Sequence, residues 1–132
     1  MSLLWILLLS AWQAQGDSIL IGMEGPASSF AVDEENLGMR LVIREINDGG
    51  GIHGWKLVEK SYPRGNADPV ADEIRNAKRL VEEDGVFLLF NFGGPASVSI
   101  GSYAMEKRVP YLFPHTALLT LDGARYVFEP LV

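Results

Sequence analysis

Apolar and polar positions follow two alternating rhythms along the chain. "SILIGM" (Ser18–Met23) is a short apolar run that reads as a buried strand. After the loop "EGPASSFAV", Asp33 is placed to cap a helix through "EENLGMRLVIREIND". In that helix Leu37, Leu41, Val42 and Ile46 are expected to share the apolar face. "WKLVEKSY" (Trp55–Tyr62) is strand-like, with Trp55, Leu57 and Glu59 alternating with Lys56, Val58 and Lys60. "PRGNADP" is a turn, and Asp68-Pro69 reads as an N-cap followed by the first helical position. Val70, Ile74, Ala77 and Val81 then recur at helical spacing until Gly85 ends the helix. "VFLLFNF" (Val86–Phe92) is apolar throughout, as central parallel strands are. Gly93-Gly94-Pro95 leads into a third helix, Ala96–Lys107, and "VPYLFP" reads as a fourth strand. "RYVFEPL" (Arg125–Leu131) is either a fifth strand or the exit from the sheet. Strands alternating with helices of these lengths predict an α/β domain with a parallel sheet.

Composition narrows the function. The chain has 132 residues, 48% of them hydrophobic and 21% charged, enough for one domain with a core. The net charge is −6 and no basic patch stands out, which argues against nucleic acid as a partner. There is no Cys, so disulfides, thiolate zinc sites, Cys nucleophiles and a lipid-modified Cys are excluded. The segment 1–16 differs from the rest. Its apolar run, Leu3 to Trp12, is too short to span a bilayer comfortably, and "AQG" places small residues before a cleavage point at Asp17. It reads as a secretory signal peptide, although no Lys or Arg precedes the run; a misplaced start codon or a buried first strand is the competing reading. The expected organisation is a signal peptide over 1–16 and a ligand-binding lobe over 17–132, exported to the periplasm or the cell exterior.

"INDGGGIHGWKLVE" holds Gly49-x-Gly51-x-x-Gly54, the pattern of a dinucleotide loop. That loop needs a strand entering and a helix leaving, so that phosphate meets free N–H groups. Here a helix enters at Asn47-Asp48 and a strand leaves at Trp55. Phosphate would face helix C-terminal carbonyls, which repel it. The expected role is structural: Gly49 or Gly50 in the left-handed position of a helix cap, Gly51 and Gly54 in a tight turn.

In an open parallel sheet, ligands bind beyond the carboxyl ends of the strands. Three loops leave those ends: "EGPASSF", "FGGPAS" and "PHTALLT". Their only ionisable side chains are Glu24 and His115. In the second, a strand runs into glycines and a helix starts, leaving the N–H groups of Ala96 to Val98 free near the Ser97 hydroxyl. This suits an anion such as a carboxylate; equally, Ser97 or Ser99 satisfies the helix end itself. Signals of catalysis are missing. There is no GxSxG elbow, no P-loop and no HExxH, and His53 and His115 are the only histidines. No metal or cofactor is expected, and the acidic runs Asp33-Glu34-Glu35 and Glu82-Glu83-Asp84 read as helix-end and solvated charges.

Taken together, "SILIGMEGPASS", the long segment from "GMRLVIREINDGGGIHGWKLVEKSYPRG" to "FGGPAS", and "RVPYLFPHT" resemble the start of a periplasmic substrate-binding protein. The likeness is to branched-chain amino acid-type receptors of ABC transporters and covers nearly all of residues 18–132. Its most specific part is Glu45 to Leu57, followed by Asp68-Pro69 and "LVEED". The resemblance implies a three-layer α/β architecture, most of one lobe of a periplasmic-binding-protein-like I fold. It also implies a non-enzymatic receptor that captures an amino acid, an amide or a small carboxylate and delivers it to an ABC transporter permease. The ligand residues it implies are Gly94 and Ser97 in the second loop, Thr116 with His115 in the third, and Phe30 in the first. Phe113 stands where such receptors commonly have Ser, and the loop is shorter, which leans toward members with Phe-Pro-x-Thr. The chain stops at Val132, soon after a strand-like stretch, as expected of a truncated lobe holding half a cleft. A sensing domain of a signalling protein, and a nucleotide-dependent enzyme built on the glycine cluster, are the alternatives.

Overall fold

A computed structural model of the chain describes residues 18–24, 30–65, 67–90, 94–113 and 125–128. Five strands and three helices occur among them: β1 (Ser18–Glu24), α1 (Phe30–Asp48), β2 (Lys56–Tyr62), α2 (Pro69–Glu82), β3 (Leu88–Phe90), α3 (Ser97–Lys107), β4 (Tyr111–Leu112) and β5 (Val127–Phe128). A short 3-10 turn, Gly94–Ala96, leads into α3. All pairings are parallel and the strand order is β2-β1-β3-β4-β5. Tyr111 pairs with Val127 and Leu112 with Phe128, so the segment after Arg125 does enter the sheet.

The alternation of side chains along β1 builds three layers. Ile21 and Met23 point to one face and pack with Leu57, Phe90 and Ile43 of α1. Leu20 and Gly22 belong to the other face, where Ala77 and Leu80 of α2 join Val86, Leu89, Ile100 and Ala104 of α3, Tyr111 and Phe113. Packing there is tight: a Cβ on Gly22 would lie 3.1 Å from Leu89 and Val86 side-chain atoms and 3.3 Å from Leu80 of α2.

The α2 start follows its sequence signals. The Ala71 N–H donates to Asp68 Oδ1 at 3.0 Å, and Pro69 occupies the first turn. Gly85 takes a left-handed φ of 66° beyond the helix end. Two expectations for α1 need correction. The helix begins at Phe30, so Asp33 lies inside its first turns instead of capping it. Acidic residues favour a helix start through the macrodipole whether or not they cap it, which is why the run misplaced the boundary. The packed face agrees with the expected one at Ile46 but not at the other three positions. Ile43 is buried, with Met39 and Ile46 against it, whereas Leu37, Leu41 and Val42 are exposed. Strand β3 is shorter than the apolar run: Val86 is buried but precedes the strand.

The glycine cluster is a helix stop followed by a hairpin turn. Gly50 N–H donates to the Asn47 carbonyl and Gly51 N–H to the Ile46 carbonyl, a Schellman closure with Gly50 at φ 105°. Ile52 and Trp55 then exchange two backbone hydrogen bonds of 2.9 Å around His53 and Gly54, both at positive φ. Asn47 locks this link to the sheet: its amide donates to the Leu57 carbonyl and its Oδ1 accepts from Leu57 N–H, each at 2.8 Å.

Candidate functional site

The strand order fixes where a ligand site belongs. From β1 the chain passes to β2 on one side, then returns to β3 on the other. Loops leaving the carboxyl ends of β1 and β3 therefore diverge, and the crevice between them is the binding position in open α/β sheets. The glycine cluster lies at the opposite end, between α1 and the start of β2.

Three of the expected site residues, Gly94, Ser97 and Phe30, lie in or next to these loops. Gly94 opens the 3-10 turn after β3. Ser97 is the first residue of α3 and is buried. The residue capping α3 is Ala96, which supplies no side-chain acceptor to the first turn. An amino end without a side-chain cap keeps the positive end of the helix dipole available. Phe30 is the first residue of α1, at the loop–helix junction after β1. His115 and Thr116 lie outside the described residues.

A fourth segment borders the same rim, and the three-loop reading of the sequence missed it. Residues 63–65, beyond β2, are tied to α2 by a polar cluster. Arg64 pairs with Glu73, the Gly65 N–H donates to Asp72 Oδ2 at 2.7 Å, and Asn76 donates to the carbonyls of Pro63 and Tyr62. Arg75 pairs with Asp72 across one helical turn. Glu73 is 4% exposed, and its second oxygen has no hydrogen-bond partner among the described residues. The available signal was Pro-Arg-Gly at the strand end facing Asp72, Glu73 and Asn76 on α2.

Shifted ionisations cluster elsewhere, around the α2–β3 link. The Tyr62 hydroxyl donates to Asp84 at 2.7 Å, which holds the Asp84 carboxyl below its usual range and raises the Tyr62 phenol. Lys60 lies 3.3 Å from Asp84, and the Arg79 guanidinium stacks 3.9 Å from the Tyr62 ring centre. Burial, then the bond to Glu82, pushes the Tyr103 phenol up to about 12, and the bond from Tyr103 lowers Glu82. Among the described residues no group of three His, Asp or Glu side chains could hold a metal, and no helix is long and apolar enough to cross a membrane.

A parallel sheet in this order, with two helices on one face and one on the other, defines a doubly wound α/β lobe. The chain belongs to the periplasmic binding protein family, whose profile matches residues 19–131. No curated protein matches the chain in sequence. Solved structures do. An ABC transporter substrate-binding protein from Desulfitobacterium hafniense is 25% identical, with a TM-score of 0.72 over 86% of this chain and 34% of that one. The branched-chain amino acid substrate-binding protein LivJ of Streptococcus pneumoniae, solved with isoleucine, is 23% identical with a TM-score of 0.68, covering 86% of this chain and 33% of that one. A solute-binding protein of Rhodopseudomonas palustris, solved with 3,4-dihydroxybenzoic acid, is 20% identical with a TM-score of 0.67, covering 86% and 31%. The fold is thus one lobe of the periplasmic-binding-protein-like I type, and the chain spans about a third of the length of these relatives.

Proposed function

We propose that residues 17–132 form the ligand-gripping N-terminal lobe of an extracytoplasmic receptor that serves an ABC importer, a binding protein and not an enzyme. In this reading segment 1–16 is the signal peptide that exports it, and the membrane permease is its protein partner. The observation that carries the proposal is the amino end of α3, without a side-chain cap, directly after β3 at the switch point of the sheet. The relatives solved with isoleucine and with a dihydroxybenzoic acid have ligands that share a carboxylate. The same chemistry here is a small carboxylate, amino acid or amide whose head group meets the backbone N–H groups of Ala96 to Val98. Ser97 adds a hydroxyl at that point, and Thr116, His115 and Phe30 complete the proposed set of ligand residues.

The test is amide NMR of the 15N-labelled chain titrated with leucine, isoleucine, hydroxybenzoates and NAD. Saturable shifts in residues 94–98 with one of the carboxylates are expected. Shifts confined to residues 49–54 with NAD, or none at 94–98 with any carboxylate, overturn the proposal.

A further inference from the structure

Helix α2 touches two parts of the rim at once. On one side it packs against the 3-10 turn Gly94–Ala96, and the fully buried Ala96 shares a core cluster with Ala77 and Leu80. On the other it holds residues 63–65 by polar ties: Arg64 to Glu73, the Gly65 N–H to Asp72, and the Asn76 amide to the carbonyls of Tyr62 and Pro63. A Cβ on Gly65 would lie 2.5 Å from Asp72 Oδ2, so this approach leaves no room for a side chain. Glu73 stands one turn before Ala77 on the same helix face. It therefore bears on how the amino half of α2 meets the 3-10 turn.

The Arg64–Glu73 pair is a poor device for stability alone. The Glu73 side chain is 4% exposed and that of Arg64 18%, so both charges are largely removed from water. Desolvation offsets much of what such a pair gains, and a packed apolar pair of similar volume is commonly as stable or more so. The second Glu73 oxygen is buried without a hydrogen-bond partner among the described residues, which adds to the cost. What the ion pair supplies instead is direction. A planar guanidinium holds a carboxylate in a fixed geometry, whereas apolar side chains slide and repack. We propose that Glu73 is a positioning residue for the ligand site. Through Arg64 it fixes the amino half of α2 against residues 63–65, and with it the 3-10 turn that aims the N–H groups of Ala96 to Val98. This rests on the carboxylate site proposed at the amino end of α3. Its consequence is that ligand affinity, more than stability, depends on the pair.

Amide NMR and denaturant titration of the full chain test this, with leucine and 4-hydroxybenzoate as probes. The double variant R64M/E73L is expected to unfold at the native denaturant concentration or above it. It should nevertheless need about tenfold more of whichever probe shifts residues 96–98, within the range by which packed networks modulate a distant site. The control R40M/E59L removes an ion pair between α1 and the middle of β2 and leaves the probe response unchanged. A double variant R64M/E73L less stable than the native chain makes the pair a structural tie and overturns the proposal. So does a stable one with native affinity, or an equal loss of affinity in the control. If neither probe shifts residues 96–98 in the native chain, the carboxylate site itself falls and the proposal falls with it.

Discussion

Arg108 ends α3 in the left-handed region, at φ 57° and ψ 37°. A side chain with a Cβ pays about 1 kcal/mol there, and glycine does not. Arg108→Gly is therefore expected to raise stability by about 0.5 kcal/mol, part of the gain being offset by the freer unfolded chain. A small upward shift of the thermal midpoint checks it, and a decrease contradicts it. Gly22 presents the opposite case. Its Cβ space is already taken by Leu89, Val86 and Leu80, so Gly22→Ala overpacks the α2 face and costs about 1–2 kcal/mol in denaturant titrations. Neither effect is legible in the sequence. A lone arginine before "VPYLF" and a lone glycine within "SILIGM" gain meaning only from a backbone angle and a neighbouring helix. The start of α3 at Ser97 was legible because strand, glycines and helix occur in an order that local chemistry dictates; the burial of Ser97 was not, since that depends on packing across α3 and the sheet.

Between elements, polar side chains do the stapling. Asn47 bonds both backbone groups of Leu57, so it extends β2 by one side-chain rung and fixes the α1–β2 connection. Asn47→Ala strands a partly buried N–H and C=O and is expected to cost about 2 kcal/mol, measured by chemical denaturation. The Tyr62–Asp84 contact staples β2 to the α2–β3 link and makes stability pH-dependent. Asp84 has a lowered folded-state pKa, so its contribution is complete above the ordinary carboxylate value of about 4. It is lost as pH falls through the folded-state value, because both states are then protonated. Tyr62→Phe should accordingly be less stable than the native chain at neutral pH and converge with it in acid; a gap that stays constant down to strongly acidic pH would rule the linkage out. Element order was legible because Asp68-Pro69, the glycine cluster and the apolar runs are local signals. The inner face of α1 was not. Helical spacing selects Leu37, Leu41, Val42 and Ile46, yet of these Ile46 meets the core, with Met39 and Ile43, while Leu37, Leu41 and Val42 are exposed.

At the scale of the whole molecule, affinity follows from how much of a ligand one lobe can touch. Small-molecule sites bury about 70–90% of their ligand, between walls on opposite sides. Under the receptor reading, the strands supply one wall: the carboxyl ends of β1, β3 and β4 with the amino end of α3. The relatives are about three times longer than the matched region. A micromolar site is worth about −8 kcal/mol, so half of its contacts would leave about −4 kcal/mol, a millimolar constant. The loss of translational and rotational freedom is not halved with the contacts, which weakens binding further. Under the receptor reading, the isolated chain should therefore show no calorimetric binding of leucine, isoleucine or hydroxybenzoate at micromolar levels, while fast-exchange NMR shifts saturate only in the millimolar range. Micromolar heats from the 132-residue chain would mean that its own surfaces, or a second copy, close the cleft.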